Sequence, residues 1–320
     1  MTVRAREAAQ YVGRRRGFSR SLLARLLRKK VAVACLLTIV VLYGSGALAP
    51  LVAPYNYRAQ DLSHTLASPS LSHPLGTDRL GRDMLSRIIY GLRTTVIVTV
   101  ASLATGSLVL GVAAGLVAGY WGGKVDALLM RIGEVFLAFP SILLVILIAA
   151  TVKPRVEGWV RSLESATGIE GLVRLGVVDY LVVFGALALF SWVGMARLVR
   201  GQVLSLRERE FTLAAVAIGA STPRILLVHL LPNALPPIVV AVSMSMGSIV
   251  GAEVVLSWLG IGVQPPNPSL GNMIFENGSL DVLRSNPHLL LAPVLVVALL
   301  IFSFNLLGDA LNDVFNPRTR

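Results

Sequence analysis

The sequence holds very little of what most catalytic and secreted proteins are built from. Its 320 residues include one cysteine, Cys35, set inside an apolar run. A disulfide framework and a cysteine metal site are therefore both excluded. The four histidines, at 64, 73, 229 and 288, all lie outside the long uncharged stretches. No nucleophile–base pair or metal constellation can be drawn within those stretches, which ranks an intramembrane enzyme below a non-catalytic membrane protein. Charged residues make up only 14% of the chain, and the 17 acids are outnumbered by 29 bases. A phosphate loop is missing too. Gly122-Gly123-Lys124 is followed by Val125 where a Walker motif needs Ser or Thr, and Ala118 stands where its first glycine belongs. The chain thus carries no visible ATP site or other cofactor site of its own.

What is present in excess is apolar sequence. With 55% hydrophobic residues and a mean hydropathy of +0.73, the chain is too apolar for a water-soluble domain of this size. Residues 31–53 run for 23 positions without a charge, enough to cross a hydrocarbon core of about 30 Å. Ala47-Leu48-Ala49 has the form of a signal-peptide cleavage site, but the basic region before it is long and more membrane sequence follows, so 31–53 reads as a first span. Further spans are expected over 94–119, 126–152, 180–199, 236–259 and 289–307. The fold class is an all-α integral membrane protein of six transmembrane helices, with membrane lipid as its surroundings.

The net charge of +12 would point to nucleic acid in a soluble protein. Here ten Lys and Arg fall in residues 1–30 against the single acid Glu7, beside a membrane span, and a basic cytoplasmic arm accounts for them without nucleic acid. If that arm is inside, six spans put 19 Lys and Arg inside and 10 outside, as the positive-inside rule requires. Both termini and the segment 201–235 would then be cytoplasmic, and the protein would lie in the cytoplasmic (inner) membrane.

Several features along the chain bear on chemistry. His73, Asp78 and Asp83 lack the spacing of a compact metal site and have Arg79 and Arg82 between them. The same stretch reads as a turn at Pro74–Gly76 followed by a membrane-surface helix, with Leu80, Met84, Ile88 and Leu92 at helical spacing. Gly111, Gly115 and Gly119 repeat every four residues, so one face of that helix admits close approach of another. Arg131 and Glu134 share a helix face and are expected to neutralise one another, and Pro140 should kink the third span. Within 153–179, Val156, Trp159, Val160 and Leu163 fall on one face. This suits a helix lying on the membrane, or a contact for a binding protein. Glu253 is embedded in the fifth span, where a carboxylate is costly unless it is paired or wetted; a helix-packing or gating contact is favoured over direct substrate binding. A secondary transporter would normally carry several such intramembrane charges, whereas Glu253 is isolated.

The segment around which the chain is organised is EFTLAAVAIGASTPRILLVHLLPN, residues 210–233. It reads as two short amphipathic helices meeting at a bend, with Gly219 ending the first and Ser221 capping the second. Ala214, Ala215, Gly219, Leu231 and Pro232 fall on the spacing of the cytoplasmic loop of ABC importer permeases, which this segment resembles. Leu213 stands where that signature has glutamate, with Glu210 one turn earlier, and His229 stands at an apolar position. HPLGTDRLGRDMLSRIIYGLRT, DALLMRIGEVFLAFPSILL and LSWLGIGVQPPNPSLGNMI are similar to the C-type permease of dipeptide and oligopeptide importers.

The resemblance implies a type I ABC importer permease fold. It would have a basic arm at 1–30, a first helix and extracytoplasmic segment over 31–93, and a five-helix core over 94–320. It also implies a homologous second permease subunit, two ABC ATPase subunits that bind the ATP, and an extracytoplasmic substrate-binding protein. The loop residues Glu210, Ala214, Ala215, Gly219, Ser221, Arg224, His229, Leu231 and Pro232 would couple to the ATPases. Peptides are the expected solute, with nickel chelates or oligosaccharides as alternatives within the same machinery and an ion-coupled secondary transporter as the alternative outside it.

Overall fold

The computed structural model describes residues 24–315, so most of the basic arm 1–30 and the last five residues lie outside the described part. The described residues are helical apart from connecting loops and one isolated bridge, Thr77 with Asp83. Five helices are long and apolar enough to cross a membrane: α1 (Lys30–Ala47), α2 (Met84–Trp121), α5 (Val177–Arg207), α7 (Thr222–Trp258) and α10 (His288–Phe315). Between them lie α3 (Gly123–Leu137), α4 (Ser141–Thr167), α6 (Glu210–Ala217), α8 (Leu270–Glu276) and α9 (Leu280–Ser285).

The third span expected over 126–152 is broken, not merely kinked. α3 and α4 meet at 88° across residues 138–140. Pro140 has no N–H to donate and its own backbone is non-helical, at φ −56° and ψ 116°, so the helix stops and restarts. The pair nevertheless follows α5 in antiparallel order. Asp126 meets Arg200, Gly133 approaches Val193, and the Phe136 ring contacts Phe190 and Trp192. Lys153 then pairs with Asp179 at 2.7 Å, and Val160 shares a buried cluster with Val178. Two ion pairs thus bracket one passage beside α5, and the bent pair is the sixth span. After six passes both ends of the described chain fall on one side, where Lys29 of the segment before α1 bonds Asp313 of α10 at 2.8 Å.

Three expected boundaries move. The surface helix before residue 94 is the start of α2 itself, so a division at 93 cuts through a continuous helix. Asp83 sets the true start: its Oδ2 accepts from the Ser86 backbone N–H at 2.8 Å, while Oδ1 meets His73 Nδ1 at 2.9 Å. Met84, Ile88 and Leu92 are buried in the main core with Leu270, Met273 and Leu289 instead of facing a membrane surface. The polar stretch 153–179 is no separate surface helix either, because α4 runs through Pro154 to Thr167 before Gly168 turns the chain at φ +70°. Its stripe divides: Val160 is buried against α5, while Trp159 and Leu163 are exposed. Finally, the fifth span begins at Thr222, since the second helix of segment 210–233 continues into it.

Candidate functional site at the elbow

The segment 210–233 forms an elbow between α5 and α7. α6 ends in a pair of reversed backbone bonds, Ala220 N–H to Ala215 O at 3.0 Å and Gly219 N–H to Val216 O at 2.9 Å. This closure needs a left-handed residue at its second-last position, and Gly219 supplies it at φ +75°. Ser221 then takes the N-cap backbone conformation of α7, but its side chain makes no capping bond. Pro223 occupies the second helical position and removes one of the two N–H groups that a capping hydroxyl ordinarily accepts from. The first turns of α7 contain a π-helical segment, Ile225–Leu230, which carries His229.

The elbow has an inner and an outer face. Ala215, Ile225 and Leu230 are buried with Leu116 of α2 and Val199 and Val203 of α5, and the Thr212 hydroxyl donates to Leu206 O at 2.9 Å. Outward stand Phe211, Leu213, Val216 and Ile218, the last 84% exposed. Of the two motif alanines, Ala215 faces the body of the molecule and Ala214 faces out. Glu210, Gly219, Ser221 and Arg224 are exposed, whereas His229, Leu231 and Pro232 are half-buried. Leu213 and Glu210 therefore share the exposed side, and Glu210 forms no hydrogen bond or ion pair with any described residue.

Behind the elbow, α2 and α5 run in close contact. An added Cβ would fall 2.7 Å from Met195 Cβ at Gly111, 2.6 Å from Val199 Cβ at Gly115 and 2.7 Å from Val203 Cβ at Gly119. The four-residue repeat on α2 is matched by a four-residue repeat on α5, so the helices mesh along more than two turns. At the elbow end Arg200 clasps Asp126 with two bonds, and Arg207 Nη1 donates to Gly119 O at 3.2 Å. Arg131 and Glu134 pair at 3.3 Å on an exposed face.

Glu253 is fully buried in α7. Its two carboxylate oxygens are shared out, Oε2 accepting from Thr95 Oγ1 of α2 and Oε1 from Ser257 Oγ, each at 3.0 Å. The carboxylate is thus a tie between α2 and α7 and has no cation among the described residues as partner. Sequence reading singled out the acid but not its partners, since nothing in a threonine 158 residues away marks it as a donor. The same holds at the end remote from the elbow, where Asp78 binds Arg82 and Arg87 at 2.6 Å each and both arginines also reach Glu276 of α8. This closed ion cluster explains Asp78 and Arg82, while His73 serves Asp83.

Six membrane passages, with an elbow presented on one side and continuous with a spanning helix, define a multi-pass integral membrane protein. The chain belongs to the family described as binding-protein-dependent transport system inner membrane component, whose pattern matches residues 111–320. Residues 17–69 match the N-terminal TM domain of oligopeptide transport permease C. Among similar proteins, the dipeptide transport system permease protein DppC of Alkalihalophilus pseudofirmus is 36% identical over 296 residues, covering 92% of this chain and 88% of that one. The DppC protein of Bacillus subtilis is also 36% identical over 296 residues, covering 92% and 84%. The glutathione transport system permease protein GsiD of Pectobacterium atrosepticum is 36% identical over 297 residues, covering 92% and 90%. The protein is a multi-pass inner-membrane permease.

Proposed function

We propose that this chain is a permease subunit of an ATP-driven importer of short peptides and that the elbow couples it to ATPase subunits. The observation that carries the coupling is the two-faced elbow. Apolar Phe211, Leu213, Val216 and Ile218 stand out on α6 and its C-terminal turn, which Gly219 joins to α7, a helix that runs for 37 residues across the molecule. Exposed apolar residues clustered at a helical tip outside the spans call for a groove to enter. The peptide assignment follows the dipeptide, oligopeptide and glutathione permeases that the chain resembles. In this reading the chain itself does no bond chemistry. A homologous second permease completes the pathway, a pair of ATPases binds ATP, and an extracytoplasmic binding protein delivers the solute. The elbow and both termini face the cytoplasm, in keeping with the excess of basic residues on that side. Closure of the ATPases moves the elbow, and the permease alternates between inward and outward openings.

The test is a disulfide cross-link from a cysteine at Ile218 to the groove of a co-assembled ATPase subunit, in a Cys35→Ala background. Ile218 serves better than Ala215, which is buried against the permease's own core. A cross-link whose yield changes with ATP is expected. Absence of any cross-link from positions 213, 216, 218 and 222, with all partners assembled, would overturn the coupling role.

A further inference from the structure

A groove of about 450 Å³ opens between α4, α5 and α7, with Asn305 of α10 at one edge. The α7 wall is a single helix face: Met244, Ser248, Ala252 and Leu256 recur every four residues, with Ser245 and Ile249 beside them. From Met244 to Leu256 this face runs for about 18 Å at 1.5 Å per residue, the length of about five residues of extended peptide. The polar groups along it are hydroxyls and one amide, from Ser141, Ser191, Ser245, Ser248 and Asn305. No charged side chain lines the groove. The one acid in this part of α7, Glu253, sits about a third of a turn round the helix and is held by Thr95 on the opposite side.

We infer that this groove is the chain's share of the translocation wall, and that it engages the uncharged main chain of a passing peptide without sorting side chains by charge. The inference rests on the peptide-import reading above. Ser141, Ser245 and Ser248 make no hydrogen bond with other described residues, so their hydroxyls are free to donate to a peptide carbonyl or accept from its N–H. A fixed charge on the wall would hold peptides of opposite sign and repel those of like sign, because unit charges a few ångströms apart at a protein surface interact appreciably. An uncharged wall avoids both, and selection by charge is left to another component. The groove is also placed to be moved, since its α7 face and the elbow belong to one helix.

The experiment uses the complete transporter, with second permease, ATPases and binding protein, in proteoliposomes. Uptake of Ala-Ala-Ala, Ala-Lys-Ala and Ala-Asp-Ala is measured for the parent in a Cys35→Ala background and for Ser248→Cys. The unmodified variant is expected to lower uptake of all three peptides to a similar degree, because a thiol is a weaker hydrogen-bond partner than the hydroxyl it replaces, and it is the reference for the modified forms. Modification with a sulfonatoethyl methanethiosulfonate then adds a negative charge after assembly. It should lower Ala-Asp-Ala uptake about tenfold relative to Ala-Lys-Ala, and an aminoethyl reagent of similar size should reverse the preference. Equal inhibition of all three peptides by both reagents, no effect of either, or a thiol unreactive in every nucleotide state would each overturn the assignment. In the last case the second permease covers the groove. Ser245→Cys repeats the test at an independent position. Absence of ATP-dependent uptake of any of the three by the parent would instead sink the peptide-import reading, before any groove residue is changed, and this inference with it.

Discussion

Replacing Gly115 by alanine adds one methyl group within the close α2–α5 contact. The new Cβ would lie 2.6 Å from Val199 Cβ and 2.7 Å from Ala196 O, whereas carbon atoms rest about 3.5–4.0 Å apart. One of the two neighbours is backbone, so a rotamer change cannot relieve the clash, and the helices must separate by about 1 Å. Overpacking of this kind costs about 1–3 kcal/mol. The control is Gly194→Ala on α5, where nothing lies within 4 Å of the added atom. There the substitution should stabilise by up to about 1 kcal/mol through helix propensity. Helix propensity favours alanine at both positions, so the two variants should differ by the overpacking cost of about 1–3 kcal/mol, which thermal unfolding of the purified chain in detergent will show as a lower midpoint for Gly115→Ala. Gly111→Ala and Gly119→Ala should behave like Gly115→Ala, since each meets α5 at 2.7 Å. If Gly115→Ala melts together with Gly194→Ala, the close helix contact does not exist and the register between α2 and α5 is wrong.

Glu253→Gln should unfold within about 1 kcal/mol of the parent because the amide can still bond Thr95 and Ser257. Glu253→Ala should lose about 2–4 kcal/mol through a cavity and two stranded hydroxyls, a loss that Thr95→Val made together with it will not deepen additively. Arg200→Ala should destabilise by about 1–2 kcal/mol, leaving Asp126 half-buried without its partner, and the exchange Asp126→Arg with Arg200→Asp should recover part of that in the same assay. Asp78→Asn removes the acid that holds both Arg82 and Arg87, at about 3 kcal/mol. Limited proteolysis should then cut the loop 54–83 faster than in the parent; unchanged cleavage would show that Glu276 alone suffices.

The sequence displayed the membrane class, the number of passages and the elbow for distinct physical reasons. Long uncharged runs are forced by the hydrocarbon core, since every charge within them is costly. The elbow was visible because its turn needs a residue at positive φ, which Gly219 supplies, and because a proline such as Pro223 is well suited to the first turn of the next helix. Helix boundaries were less legible where a helix leaves the membrane without stopping. Residues 84–93 and 153–167 are polar enough to look like surface segments, but backbone hydrogen bonds take no account of the change in surroundings. The break at Pro140 looked like a kink because proline alone does not state its angle; the 88° turn depends on where α4 must lie to place Val160 against Val178. Partners distant in sequence, such as Glu253 with Thr95 and Arg87 with Glu276, left no local signal, because any threonine or acid could have filled the role.

The geometry of α7 gives the elbow mechanical reach. Its first residues lie beside the exposed apolar residues of α6, and its last turns, from Met244 onward, form the groove wall and carry Glu253 into its tie with α2. Between these ends the helix contains Pro232, Pro236 and Pro237 and follows a π-helical stretch, each of which removes or displaces backbone hydrogen bonds. Bending is therefore easiest between the elbow and the groove. The Glu253 tie and the packing of Gly247 beside Asn305 hold the part beyond the prolines against its neighbours. A push at the elbow must then be taken up in one of two ways, by flexing at the prolines or by moving the groove wall together with α2 and α10. The buried hydrogen bonds of Glu253 resist the second course, so the proline region takes up part of the movement, and a stiffer segment, as in Pro236→Ala, should transmit more of it to the groove.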